Sequence, residues 1–208
     1  MDTTMSEAVP YALSFTSGSL LIAEASVVIP IYLRHRDWSR TRDEVEKENL
    51  LQSRTRASSH RRIREIAQRL AVLTIDELEF MASASALERA HMLWAAACRR
   101  YTLIGEFAEE VVRERFLLLS ETLTHDDFDA FLLTKAIWHE EIAQLSDSTT
   151  RKLRSNVFRM LFEAGLLGIN GFIIPALLSE RVTFFIDARS PSDLRFFPVR
   201  YAASESKA

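Results

Sequence analysis

Apolar residues recur along most of this chain at the three-to-four-residue spacing of helices that bury one face. Ile63, Ile66, Ala67 and Leu70 mark one such stripe, and Leu153, Val157, Met160, Leu161 and Ala164 mark another. Cap residues punctuate the stripes: Asp37 ahead of residues 38–50, Ser58 or Ser59 ahead of the Ile63 stripe, and Thr124 ahead of DDFDAFLLTKAI. Thr74 with Glu77 and Ser85 with Glu88 read as capping boxes, and Ser148 opens a basic amphipathic helix that ends at Gly165. Residues 87–119 predict a central hairpin or bent pair of helices with Gly105 near the bend, and this should be the most buried part of the chain.

One stretch departs from the helical period. LLGINGFII reads as two short apolar strands around Asn170 and Gly171, a type I′ hairpin signal. Helix, short connection, basic helix and hairpin is the order of a winged helix-turn-helix, and equally of a structural mini-domain that completes a core. The predicted fold is therefore mainly all-α: a compact multi-helix bundle with a small C-terminal helix-turn-helix or β-hairpin element. Its expected divisions are a flexible arm over residues 1–13, a helical core over 14–122, a C-terminal part packed on it over 123–199, and a disordered tail over 200–208.

Composition narrows the class. Five glycines and five prolines in 208 residues argue for long helices and against a many-turned β architecture. Residues 8–33 carry a single charge, Glu24, but the SFTSGS stretch leaves only fourteen apolar residues, 20–33, which is short for a membrane span. Glu24 and the interior Pro30 add to the cost of insertion, so this region is expected to be a core helix. The opening MDTTMSE has acids where a secretory signal has basic residues, and the lone Cys98, in the apolar run LWAAAC, reads as a buried inert thiol. A reducing, cytoplasmic setting follows as the expectation.

The net charge of −3 conceals an asymmetry. Residues 34–72 hold eleven Lys/Arg against six Asp/Glu, a net of +5; residues 73–147 hold six against fifteen, a net of −9; residues 148–199 hold seven against four, a net of +3. Two basic segments flank an acidic middle, a distribution compatible with a polyanion partner. The densest cluster is Arg54, Arg56, Arg61, Arg62 and Arg64, with no acid between Ser53 and Arg64. Arginines at a helix start oppose the helix dipole, so beside the free backbone N–H groups and the hydroxyls of Ser58 and Ser59 they suggest a phosphate site. The opposing reading pairs Glu65 with Arg61 and Arg69 and leaves the others solvated. Arg69 completes the first candidate surface, and Arg151, Lys152, Arg154 and Arg159 form a second.

No reaction motif is present: there is no G-x-S-x-G elbow, no Walker loop and no H-E-x-x-H. His125 with Asp126, Asp127 and Asp129, and His139 with Glu140 and Glu141, are neighbours that diverge around a helix and so read as solvated helix starts. The expectation is a protein without catalytic residues, cofactor or metal.

Ordered across residues 14–199, SFTSGSLL, ENLLQSRTRASSHRRIREIAQRL, CRRYTLIGEFAEEVVRERF, DDFDAF, KAIWHEE, STTRKLRSNVFRMLFEAGLL and DLRFFPV resemble the BrxA family, small proteins encoded with the BREX phage-exclusion systems of bacteria. Pro30 inside the first helix departs from the family pattern. The resemblance implies a cytoplasmic, non-enzymatic helical protein of NusB-like fold that binds double-stranded DNA, with other BREX components as further partners. Two alternatives stand beside duplex DNA: an adaptor whose arginines meet an acidic partner subunit, with the acidic middle or an apolar patch near Phe196, Phe197 and Pro198 then also functional, and RNA by fold analogy.

Overall fold

The computed structural model describes residues 9–15 and 18–200. Helix α1 (Ile22–His35) runs through Pro30, which faces solvent, and buries Ala25, Val28, Ile29 and Ile31. Its neighbours are α2 (Trp38–Lys47), α3 (Arg56–Leu70) and α4 (Ile75–Ser83). Asp37 caps α2 and Thr74 with Glu77 forms the box that opens α4, as the sequence predicts. Among the described residues no helix is long and apolar enough to cross a membrane.

Helix α5 (Ala86–Arg100) opens with the Ser85–Glu88 capping box and buries every residue from Ala90 to Cys98. An apolar surface on all sides requires partners on all sides, and α1, α3, α4 and α10 (Asp147–Glu163) each pack against it. The chain breaks at Tyr101, extended at φ −120°, four residues before the glycine expected at the bend. Gly105 instead permits a close approach. A Cβ there would lie 3.0 Å from the Cys98 carbonyl oxygen and 3.2 Å from the Phe196 ring, so its bare backbone lets α6 (Thr102–Phe107) lie close to α5. A π-helical turn over Ala108–Arg113 leads into α7 (Glu114–Leu117), and α8 (His125–Ala136), capped by Thr124, precedes the short α9 (Glu140–Ala143).

Ser146 rather than Ser148 caps α10, because its hydroxyl oxygen accepts the Thr149 N–H. Beyond Gly165 the predicted hairpin is reduced to a tight return held by isolated bridges, Leu167 to Ile173 and Thr122 to Phe172, and no strand forms among the described residues. Its turn is not type I′. Gly171 alone has positive φ, +77°, while Asn170 does not, and the Gly171 N–H reaches the Gly168 carbonyl at 3.0 Å, as in a type I turn followed by a left-handed glycine. The backbone of this return is engaged with the chain before α8, through Leu123 N–H to Gly171 O and Ile173 N–H to Glu121 O, both 2.8 Å.

Two expectations near the ends are corrected. Residues 1–8 and 201–208 lie outside the described residues, but residues 9–13 are not a loose arm. Tyr11 is buried against the His139 ring, its N–H donates to Glu141 at 2.7 Å and its hydroxyl to Glu106 at 2.5 Å. Burial and the Glu106 carboxylate push its phenol above the ordinary range. Phe196 and Phe197 do not form a surface patch: both are buried, and the Trp94 indole N–H donates to the Phe196 carbonyl at 2.9 Å. Arg99 likewise pairs with Glu77 and Asp193, and Arg189 with Glu77, so the chain after α11 (Glu180–Asp187) is tied into the core begun by α1.

Candidate nucleic-acid interface

The connection from α2 to α3 turns sharply, with Asn49 and Gln52 both at φ 47° and the Asn49 side-chain oxygen accepting the Ser53 N–H at 3.0 Å. Thr55 then caps α3: its hydroxyl oxygen accepts the Ser58 N–H at 3.1 Å, while the Ser58 hydroxyl oxygen accepts the Thr55 N–H at 3.3 Å. Contrary to the expectation from the sequence, neither Ser58 nor Ser59 is the cap. Ser58 fills the third helical position, normally a glutamate's or glutamine's, so α3 starts at Arg56 and gains most of a turn.

This earlier start brings Arg56 into the first turn. Acids occupy the first turns of α4, α5, α8 and α10, where they meet the positive end of the dipole, whereas the first turn of α3 holds none. Arg54, Arg56, Arg61 and Arg64 are all exposed and have no ionic or hydrogen-bonding partner among the described residues. Arg62 is half-exposed and leans toward Glu24 at 3.7 Å. His60, between the arginines, meets Glu46 across the helix pair at 2.8 Å.

Two adjoining concavities follow this face. The larger, about 720 Å³, is lined by Asp43, Glu46, Lys47, Asn49, Ser53, Arg54, Thr55, Arg56 and Ser59. The second, about 520 Å³, is lined by Glu46, Arg56, Ala57, His60, Arg61 and Arg64, so Glu46 and Arg56 belong to both. Asp43, Lys47, Asn49 and Thr55 escape a reading of the arginine cluster alone. Of these only Thr55 has a local signal, a hydroxyl three residues ahead of Ser58; Asp43 and Lys47 reach the cleft because α2 packs on α3, and Asn49 because the connection between the two helices turns there.

Arg69 is a correction. It is fully buried, bonded to Glu65 through Nε at 3.1 Å and Nη2 at 2.9 Å and to the Ser19 carbonyl through Nη1 at 2.5 Å, and it lies near the Tyr101 ring. Tyr101 adds its hydroxyl to the same Glu65 oxygen at 2.6 Å, and its phenol is pushed upward by burial and by that carboxylate. Glu65 therefore neutralises a core arginine and leaves Arg61 without the pairing that its spacing suggests.

The second basic surface is partly compensated. Arg154 is paired with Asp129 and Arg159 with Glu163 at 2.9 Å, while Arg151 and Lys152 stay exposed, Arg151 turned back to the Asp147 carbonyl at 3.2 Å. Asn156, on the same helix, is buried with its amide donating to the Phe15 carbonyl at 3.1 Å. Of the acidic histidine pairs, His139 lies between Tyr11 and Glu141, and His125 stands edge-on to Phe158 at 4.8 Å. Among the described residues no group of three or more His, Cys, Asp or Glu is placed to hold a metal ion.

Fold and surface together define an all-α protein with four exposed arginines, unpaired among the described residues, at and near the start of a long helix. The BrxA family model matches residues 9–190, and the chain belongs to that family. The BREX protein BrxA of Paramagnetospirillum magneticum (strain ATCC 700264 / AMB-1) is 26% identical over 157 residues, covering 76% of this chain and 79% of that one. The BREX protein BrxA of Escherichia coli O9:H4 (strain HS) is 26% identical over 148 residues, 71% of this chain and 70% of the relative, and that of Bacillus cereus (strain H3081.97) is 40% identical over 65 residues, 31% and 32%. A crystal structure of an uncharacterized protein from Magnetospirillum magneticum shares the fold, with a TM-score of 0.79, 23% identity, and coverage of 91% of this chain and all of that one.

Proposed function

We propose that this protein is a DNA-binding component of a bacterial BREX defence system, acting by binding rather than by catalysis. It grips duplex phosphates through the exposed face of α3. The observation that carries this reading is the set of four arginines, Arg54, Arg56, Arg61 and Arg64, exposed without acidic partners among the described residues, beside the unpaired amides of a helix start. A surface left with that much uncompensated charge opposes the helix dipole and is matched by a polyanion. From Arg56 to Arg64 the helix advances about 12 Å, roughly three to four base steps along a strand. Arg151 and Lys152 are a secondary contact at most, since Arg154 and Arg159 already face carboxylates.

Four phosphate contacts predict that log K falls against log salt with a slope of about −3.6, with little preference for sequence. Fluorescence anisotropy on a labelled duplex at several salt concentrations measures the slope. Arg61→Glu with Arg64→Glu, checked for folding by circular dichroism, should weaken binding and flatten the slope. Unchanged binding by that variant rejects the reading. Tighter binding of single-stranded or duplex RNA in competition redirects it to RNA, and co-purification with an acidic protein that survives nuclease and needs the same arginines redirects it to a protein partner.

A further inference from the structure

The larger cleft differs from the rest of the α3 face in setting an unpaired carboxylate opposite its arginines. On the α3 side stand Arg54, Arg56 and the first helical amides; on the α2 side stand Asp43, exposed and without a partner among the described residues, and the exposed Lys47. Glu46, also on that side, is already engaged by His60. Ser59 lines the cleft at 5% exposure, and its hydroxyl has no hydrogen-bond partner; the Ser53 hydroxyl, on the same lining, also has none. Buried hydroxyls left unpaired are costly in a folded protein and are spared where a ligand group meets them. At about 720 Å³ the cleft is far larger than an inorganic phosphate needs and lies within the range of sites for organic ligands.

We infer that this cleft binds one nucleotide, its phosphate against Arg54, Arg56 and the start of α3 and an amino group of its base against Asp43. A carboxylate accepts hydrogen bonds from the amino group of cytosine and, by the same chemistry, of adenine, whereas thymine offers a single N3–H flanked by two carbonyl oxygens that repel a carboxylate. A continuous strand threading the cleft would bring a second phosphate toward the α2 wall, where Asp43 and Glu46 outnumber the single cation Lys47 and the net charge repels it. The occupant therefore carries its phosphate at one end: the terminal or unpaired nucleotide of a DNA strand, or a free mononucleotide. For the strand source this rests on the proposal that the α3 face holds DNA phosphates; the free nucleotide does not need it.

Anisotropy on the full chain compares a blunt duplex with the same duplex carrying a single 5′-phosphorylated dA or dT overhang, and thermal shift with dAMP tests the free nucleotide. Asp43→Ala and Ser59→Ala are the variants; Asp43 is exposed, and alanine at Ser59 removes only an unpaired hydroxyl, so both should fold. The expected result is that the dA overhang binds about tenfold tighter than the blunt end and the dT overhang, and that Asp43→Ala abolishes the preference, with the blunt duplex binding no more weakly than it does to wild type because the variant removes a charge that repels phosphate. A dAMP shift lost in both variants, without an overhang preference, supports the cleft and assigns it to free nucleotide, even if no duplex is bound. Equal affinity for all three duplexes with no dAMP shift overturns the inference and leaves the DNA-binding proposal standing.

Discussion

Arg69→Met separates a core arginine from a surface one. The guanidinium is fully buried and bonded twice to Glu65 and once to the Ser19 carbonyl, and Glu65 is itself almost completely enclosed, with Tyr101 as its other partner. Methionine fills much of the same volume, so the dominant cost is a buried carboxylate stripped of its counter-charge, about 3–5 kcal/mol. For a chain of this size each kcal/mol lowers the melting temperature by about 2–4 °C, so the expected drop is roughly 6–20 °C. Adding Glu65→Gln to Arg69→Met removes both charges, keeps an acceptor for the Tyr101 hydroxyl, and should recover most of the loss. Thermal melts followed by far-ultraviolet circular dichroism supply the measurement, and duplex affinity below the melting range should match wild type for every folded variant. A melting temperature within about 2 °C of wild type, or a selective loss of DNA affinity at unchanged stability, refutes the assignment of Arg69 to the core.

Gly171→Ala should destabilise by about 1–2 kcal/mol or more in a urea titration, because Gly171 has φ +77° and an added Cβ would sit 2.8 Å from the Leu123 carbonyl oxygen. Thr55→Ala removes the cap of α3 and should cost about 1 kcal/mol, with hydrogen exchange rising at Ser58, whose amide it holds. Burial lowers the pKa of His91 below its ordinary 6.5, partly opposed by the nearby Glu88 carboxylate. The unfolded chain therefore takes up this proton first as pH falls, so the stability His91 contributes is complete above pH 6.5 and is lost between there and its lower folded value. His91→Gln cannot protonate and should show a smaller drop in urea midpoint between pH 7.5 and 5 than wild type does; equal drops would remove His91 as the cause.

Local signals determined much of the architecture. Asp37, Thr74 with Glu77, Ser85 with Glu88, and Thr124 all cap where the residues alone place them, because a hydroxyl or carboxylate reaching an amide three residues on needs no distant partner. The stripes of α3 and α10 are buried for the same local reason: a 3.6-residue period puts their apolar side chains on one side. The stretch 53–64 is also legible as an anion-binding candidate, since an excess of arginine with no acid nearby leaves charge that the helix itself cannot absorb.

Tertiary structure decided which charges remain available. Arg69 and Arg64 look alike along the chain, yet Glu65 and Tyr101 enclose the first and nothing among the described residues meets the second. Arg154 is spent on Asp129, twenty-five residues away, and Phe196 and Phe197 vanish beneath Trp94 and its neighbours. The cleft itself belongs to α2 as much as to α3, with Asp43 and Lys47 brought opposite Arg54 and Arg56 only by helix packing. Capping and periodicity are interactions over three or four residues and are written in order, whereas burial and ion pairing depend on which surfaces meet, and that is settled only when the whole core closes.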